Sequence, residues 1–234
     1  MNKNGTVYLI PSLLDDTGIN AIPSYITEAV KSCHVFFVEN ERTARRYLKK
    51  IRKEMVIDEY EWHTMSDGSA LSDTFRKKLK EGKTIGIISE AGCPGVADPG
   101  QSLTAIAHEM NAEIKPLVGP SSVLLALMAS GMNGQQFQFL GYLPIKDHER
   151  IKVIKELEAE SKKKNCTQIF IETPYRNNQL LDALSKNCNL STKLCIAVDL
   201  TSPNEWIKTK TIREWKEKKP DLHKRPAIFL LLAE

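Results

Sequence analysis

No apolar run in this 234-residue chain approaches the ~20 residues that a bilayer-spanning helix requires, which sets membrane-spanning proteins aside. The opening residues, Met1-Asn2-Lys3-Asn4-Gly5, hold no apolar core of a secretory signal, so a cytoplasmic location is expected. Cysteine is sparse: Cys33, Cys93, Cys166, Cys188 and Cys195 are odd in number and show no C-x-x-C spacing. That pattern excludes a disulfide framework and gives no zinc site. Cys166 and Cys195 sit in or beside strand-like apolar runs and read as buried free thiols. Cys93 lies in a glycine-rich loop, but a nucleophilic role would need an activating base, and none is near it in sequence. A complete phosphate-loop pattern, an internal repeat and a low-complexity segment are also absent, which argues against a nucleotide-binding module. Net charge is only +4, too mild to imply nucleic acid by itself.

The remainder is ordinary globular composition, 41% hydrophobic and 26% charged, long enough for one large or two modest domains. Strand patterns at Thr6 to Pro11, Val35 to Val38, Thr84 to Ser89 and Glu113 to Leu117 alternate with helical ones at Ile22 to Ser32, Glu41 to Arg52, Ser72 to Glu81 and Gln101 to Met110. Such alternation predicts a mostly parallel sheet covered by helices. A small apolar helix follows from Ser121 to Ala129, and Ser130-Gly131-Met132-Asn133-Gly134 reads as a hinge. Beyond it come strands at Phe137 to Gly141, Gln168 to Glu172, Lys193 to Asp199, Ile207 to Thr211 and Ala227 to Leu232, with helices at Asp147 to Lys164 and Asn177 to Lys186. Consecutive strands near the end predict a mixed sheet. The expectation is two α/β domains, 1–117 and 118–234.

Charge is patterned even where its sum is small. Arg42, Arg45, Arg46, Lys49, Lys50 and Lys53 recur at three- and four-residue spacing opposite Ala44, Leu48 and Ile51, which describes an amphipathic helix with a basic stripe. Such a stripe is either a solvated face or a phosphate-binding one. Ser89-Glu90-Ala91-Gly92-Cys93-Pro94-Gly95-Val96-Ala97-Asp98-Pro99-Gly100 ends an apolar strand in a stiff, glycine-rich turn, and loops at strand carboxyl ends are where small ligands bind in open α/β sheets. Glu90 and Asp98 are candidate acceptors there, although Asp98 is equally placed to cap the following helix. Ser121 and Ser122 read either as helix caps or as ligand contacts. Glu39, ending a strand at the ligand edge, is the first candidate for a general base, followed by Asp15, Asp16 and His63. Arg42 and Arg176 follow strand-end motifs and either pair with phosphate or with a neighbouring carboxylate. Tyr142 and Tyr175 either stack on a splayed base or pack.

The Ser89–Gly100 stretch resembles the Ser-Asp-Ala-Gly-Thr-Pro-x-x-x-Asp-Pro-Gly signature of the tetrapyrrole methylase superfamily, in its ribosomal RNA small-subunit (cytidine-2′-O)-methyltransferase branch, with Glu90 for Asp and Cys93 for Thr. Gly5 to Pro11 is similar to the family's first strand, but Ser12-Leu13-Leu14-Asp15-Asp16 replaces its Gly-Asn-Leu-x-Asp continuation. Val38-Glu39-Asn40-Glu41-Arg42 resembles Ala-Glu-Asp-Thr-Arg, and Val118-Gly119-Pro120-Ser121 resembles Val-Gly-Pro-Ser. Phe139 to Pro144 resembles Phe-x-Gly-Phe-Leu-Pro, and Glu172-Thr173-Pro174-Tyr175-Arg176 resembles Glu-Ser-Pro-His-Arg. The resemblance implies two α/β domains with S-adenosylmethionine (SAM) bound in the cleft between them. It implies cofactor contacts at Pro11, Glu90, Ala91, Gly92, Val96, Ala97, Asp98, Ser121, Ser122, Leu143, Pro226 and Ala227. Substrate contacts are expected at Arg42, Arg45, Arg46, Lys49 and Arg176, no metal is expected, and the implied partners are ribosomal RNA or the small ribosomal subunit and a second copy of the chain. A small tetrapyrrole-like or other non-RNA acceptor, or a SAM-binding ribosome-associated module without catalysis, are the competing readings.

Overall fold

The structure, a computed structural model, describes residues 5–65 and 69–234; the reading of Met1-Asn2-Lys3-Asn4 lies outside them. The chain divides into two compact units, one ending at Ser121 and the other starting at Ser122.

The first unit runs β1 (Thr6–Ile10), α1 (Ile26–Ser32), β2 (Val35–Val38), α2 (Glu41–Ile51), β3 (Glu61–Thr64), α3 (Ser69–Lys80), β4 (Ile85–Ile88), α4 (Gly100–Glu109) and β5 (Glu113–Pro116). The strands form a wholly parallel sheet in the order β3-β2-β4-β1-β5. Strand alternation sends Ile10, Phe36, Val38 and Ile88 to one face, where they meet Ile26 and Val30 of α1 and Ala44, Tyr47 and Leu48 of α2. Val7, Val35, Phe37, Ile85 and Ile87 face the other way, against Phe75 and Leu79 of α3 and Leu103 and Ile106 of α4. The chain therefore leaves β1 and β2 toward one face and leaves β4, which lies between them, toward the other. Neighbouring strands whose outgoing loops part in this way open a crevice at the carboxyl edge of a sheet.

The second unit runs α5 (Ser122–Ser130), β6 (Phe137–Tyr142), α6 (Asp147–Lys164), β7 (Thr167–Ile171), α7 (Asn177–Asn187), β8 (Lys193–Val198), β9 (Trp206–Thr211), α8 (Ile212–Glu217) and β10 (Ala227–Leu232). Its sheet has the order β6-β7-β10-β8-β9; β6 and β7 are parallel and the other neighbours antiparallel. Phe170, Ile196, Phe229 and Leu231 pack one face against Ile154 and Leu157 of α6, Leu180 and Leu184 of α7, and Ile212 and Trp215 of α8. The two α/β folds, one parallel and one mixed, are those the sequence pattern predicts.

Four local features differ from expectation. The first helix begins at Ile26 rather than Ile22: Ile22 is extended, φ −97° and ψ 116°, as the residue before Pro23 is driven to be. Strand β3 was not expected, because only four half-buried or exposed residues, Glu61-Trp62-His63-Thr64, form this edge and they lack an apolar run. Helix α8 was not expected either; Thr211 and Glu214 start it with a reciprocal capping box. Ser130 to Gly134, read as a hinge, lies inside the second unit and is pinned there. Ser130 Oγ accepts from Met132 N (3.0 Å), and Asn133 Nδ2 donates to the Asn165 carbonyl (2.6 Å).

Candidate functional site

In the first unit, the loops leaving β1, β2, β4 and β5 are stitched together at the carboxyl edge of the sheet. Pro11 continues directly from β1, and its carbonyl accepts from the buried Tyr47 hydroxyl of α2 (2.7 Å). Ser12 N donates to the Gly92 carbonyl (2.8 Å), joining the β1 loop to the signature loop. Gly92 has φ +75°, and Gly95, three residues on, has φ +85°, so the turn depends on residues free of a Cβ penalty. Ala97 takes φ +62° without that freedom, a strained backbone of a kind that gathers at ligand-binding turns. At Gly119 the reason for glycine is close approach: an added Cβ would lie 2.1 Å from Pro11 Cβ. The β5 turn thus rests on the β1 turn.

Cys93 completes this seam, its Sγ directed at the carbonyls of Gly119 (3.7 Å) and Pro120 (3.5 Å). Burial, and secondarily Asp98, pushes the thiol above its usual range, so Cys93 is a weak donor holding a turn. Burial likewise pushes Cys33 and Cys188 up to about 12. Asp98 turns inward. Both of its oxygens accept from Gly95 N (2.9 Å each) and Oδ1 also accepts from Gly100 N (2.7 Å), the first residue of α4. It serves the loop and the helix start, while Glu90, Ala91, Gly95, Val96, Ala97 and Pro99 are exposed in the turn. Ser121 precedes α5 and Ser122 is its first residue.

Glu39 follows β2 and reaches across to the signature loop, where its Oε2 accepts from Glu90 N (2.9 Å). Its other oxygen has no partner among the described residues. Asn40 caps α2 by accepting from Arg42 N (3.0 Å) and Thr43 N (3.3 Å), a task that asparagine and aspartate perform equally. A cleft of about 350 Å³ lies between the β1 loop and α2, lined by Ser12 to Asp16, Thr43, Arg46, Tyr47, Glu90 and Ala91.

The basic residues of α2 do not share one fate. Arg42 is exposed and its guanidinium has no partner among the described residues. Arg45 pairs with Glu41 (2.5 Å) and lies 5.1 Å from the Trp62 ring centroid, with its Nε buried. Lys49 Nζ donates to the Lys53 carbonyl (3.1 Å). Arg46 and Lys50 both turn to Asp16, at 3.4 and 2.9 Å. The sequence pattern places Lys50 in the basic stripe without counting it among the substrate contacts, whereas in the structure it shares Asp16 with Arg46. Asp15 is engaged locally, accepting from Thr17 N (2.8 Å). His63 stacks on Phe37 (4.8 Å) and bonds Glu61 (2.8 Å) on the sheet's edge strand.

In the second unit, Arg176 is held by the buried Glu172, whose Oε1 accepts from Arg176 Nη2 (2.6 Å) and Nε (3.0 Å) and from Thr173 N (2.6 Å). Leu143 belongs to the core, Pro226 is exposed and Ala227 begins β10. Tyr142 and Tyr175 are exposed; Tyr175 lies edge-on to His223 (6.0 Å). Among the described residues there is no metal-ligand cluster, and no helix is long and apolar enough to cross a membrane.

No family model matches the chain. Ribosomal RNA small subunit methyltransferase I of Bacillus subtilis is 30% identical over 214 residues, covering 90% of this chain and 68% of that protein. The protein of the same name from Buchnera aphidicola is 26% identical over 235 residues, 99% of this chain and 79% of the relative. That of Mesorhizobium japonicum is 36% identical over 135 residues, 58% of this chain and 45% of the relative. Among solved structures, diphthine synthase aligns over 97% of this chain and 89% of its own, with a TM-score of 0.69 and 14% identity. The methyltransferase CobJ aligns over 99% and 95%, with a TM-score of 0.62 and 17% identity. These two share the fold.

Proposed function

The chain belongs to the ribosomal RNA small subunit methyltransferase I family, and from that premise we propose that it transfers a methyl group from SAM to a ribose 2′-hydroxyl of small-subunit ribosomal RNA. The observation that carries this reading is the cleft at the carboxyl edge of the parallel sheet, lined by Arg46 of α2 and by Glu90 of the signature loop, whose backbone N–H in turn holds the Glu39 carboxylate.

The residues fit the cofactor. Gly92 and Ala97 hold the turn in a left-handed backbone that presents small side chains, and Val96, 48% exposed, offers an apolar surface suited to an adenine ring. Glu90, Ala91, Gly92, Val96 and Ala97 would hold SAM with Pro11 and Ser121, all carried by the first unit. Asp98 acts by shaping the turn, and Leu143 by packing. When bound, SAM supplies a methyl group on a sulfonium leaving group, so the protein's task is alignment and management of one proton.

Glu39 is suited to that proton. Its Oε2 is fixed by Glu90 N, which orients the carboxylate, and Oε1 remains to accept from a ribose hydroxyl. Arg46, which lines the cleft, and Arg42, one helical turn before it on α2, are proposed to hold the RNA backbone, since guanidinium groups match phosphate geometry. This row favours RNA over a tetrapyrrole-like acceptor. A homodimer in the cytoplasm completes the reading.

The test is transfer of labelled methyl from SAM to unmodified small ribosomal subunits, followed by nucleoside analysis of the digested RNA. Appearance of a 2′-O-methylated nucleoside is expected. No incorporation by protein that binds SAM would overturn the RNA reading, leaving a non-RNA acceptor or a non-catalytic module.

A further inference from the structure

Helix α2 carries Arg42, Arg46 and Lys50 at four-residue intervals, which places them in one row with steps of about 6 Å along the axis. Arg42 is open, but Arg46 and Lys50 are already engaged by a single anion. Asp16 Oδ1 accepts from Lys50 Nζ (2.9 Å), Oδ2 lies 3.4 Å from Arg46 Nη2, and Lys50 Nζ also donates to the Asp16 carbonyl (2.9 Å). The hydrogen bond from Lys50, reinforced by both positive charges, holds the Asp16 carboxyl below the usual carboxylate range, so it stays ionised. Asp16 and Arg46 both line the cleft that ends at Glu90 and Ala91.

We propose that the Arg42–Arg46–Lys50 row binds phosphates of the substrate backbone, and that the Asp16 carboxylate occupies one of those phosphate positions until RNA displaces it. This rests on the RNA reading above and adds a competing internal anion to it. Three observations support it. The pairs are exposed, with Asp16 at 62%, Arg46 at 60% and Lys50 at 35% side-chain exposure, and such pairs hold weakly against an incoming anion. The loop does not depend on the Asp16 side chain for its shape, because Asp15 accepts from Thr17 N (2.8 Å) and the Asp15 carbonyl accepts from Gly18 N (2.9 Å). Asp16 can therefore leave its partners by rotamer change. Finally, a guanidinium gains geometric match on exchanging a distant carboxylate for a phosphate. The consequence is discrimination: a lone small anion must compete with Asp16, whereas a polyanion that also engages Arg42 exchanges it with help.

The experiment measures binding of an unmodified small-subunit ribosomal RNA transcript at several salt concentrations by wild type, Asp16→Asn, Lys50→Met and the double variant, with thermal melting as a folding check. Asp16→Asn is expected to tighten binding by about three- to tenfold, the range set by removing up to two weak ion pairs. Its log–log salt slope should stay close to that of wild type, because RNA makes the same phosphate contacts in both once Asp16 is displaced. Lys50→Met should weaken binding, and most of the Asp16→Asn gain should vanish in its presence. Unchanged or weaker binding by folded Asp16→Asn overturns the inference while leaving the RNA reading intact. Failure of wild type to bind the transcript overturns both.

Discussion

Two strand ends in this molecule carry nearly the same residues and put them to opposite use. After β2 comes Glu39-Asn40-Glu41-Arg42, and after β7 comes Glu172-Thr173-Pro174-Tyr175-Arg176. In the second, the glutamate is buried, 1% exposed at its side chain, and folds back onto its own arginine and the next backbone N–H. In the first, the glutamate reaches outward to Glu90 N on another loop, and the arginine is left without a partner among the described residues. The cause is the cap. Asn40 takes up Arg42 N and Thr43 N, so α2 starts at once, whereas Arg176 itself occupies the cap position of α7 and its side chain returns to Glu172. An acid–arginine pair at a strand end is thus a closed internal pair in one place and an open edge in the other.

The comparison is broken most severely at Glu39. Glu39→Gln keeps an acceptor for Glu90 N but removes the proton acceptor, and methyl transfer is expected to fall by about 10²–10⁴-fold, the usual contribution of a general base. Single-turnover rates with unchanged SAM affinity would check this; a rate within threefold of wild type would remove Glu39 from the chemistry. Next in size is Arg176→Met, which strands the buried Glu172 carboxylate. Loss of about 3 kcal/mol of unfolding free energy is expected, the lower range for breaking a buried pair, read from denaturant unfolding of the whole chain. The equivalent Arg42→Met should leave stability within about 0.5 kcal/mol, because it removes an exposed, unpaired charge. The smallest effect is Asn40→Ala, which deletes the cap that separates the two motifs. About 1 kcal/mol of stability should be lost, with Asn40→Asp close to wild type.

Much of the fold was legible in local pattern. The alternation of strands and helices, the parallel and mixed characters of the two sheets, and the glycine turn after β4 all follow from periodicities within short windows. The misses share a cause. Strand β3 is a short edge whose Trp62 and His63 find their purpose only by stacking on Phe36 and Phe37 of the neighbouring strand. Arg45 looked like one more member of a basic stripe, yet Trp62 covers it. Asp98 had two readings, and its three bonds to Gly95 N and Gly100 N give the structural one a definite geometry.

The sequence by itself determined which segments become strands and helices, where the backbone must turn without a Cβ, and the family to which those motifs point, because each depends on residues a few positions apart. Only the tertiary structure decided which charges stay free. Glu39 meets Glu90 across 51 residues because β4 lies beside β2, and Asp16 meets Lys50 across 34 because the segments that follow β1 and β2 cover the same face of the sheet. Strand order is set by the burial of both faces of the sheet together. A charge's partner is a consequence of that order, and no local window of the chain contains it.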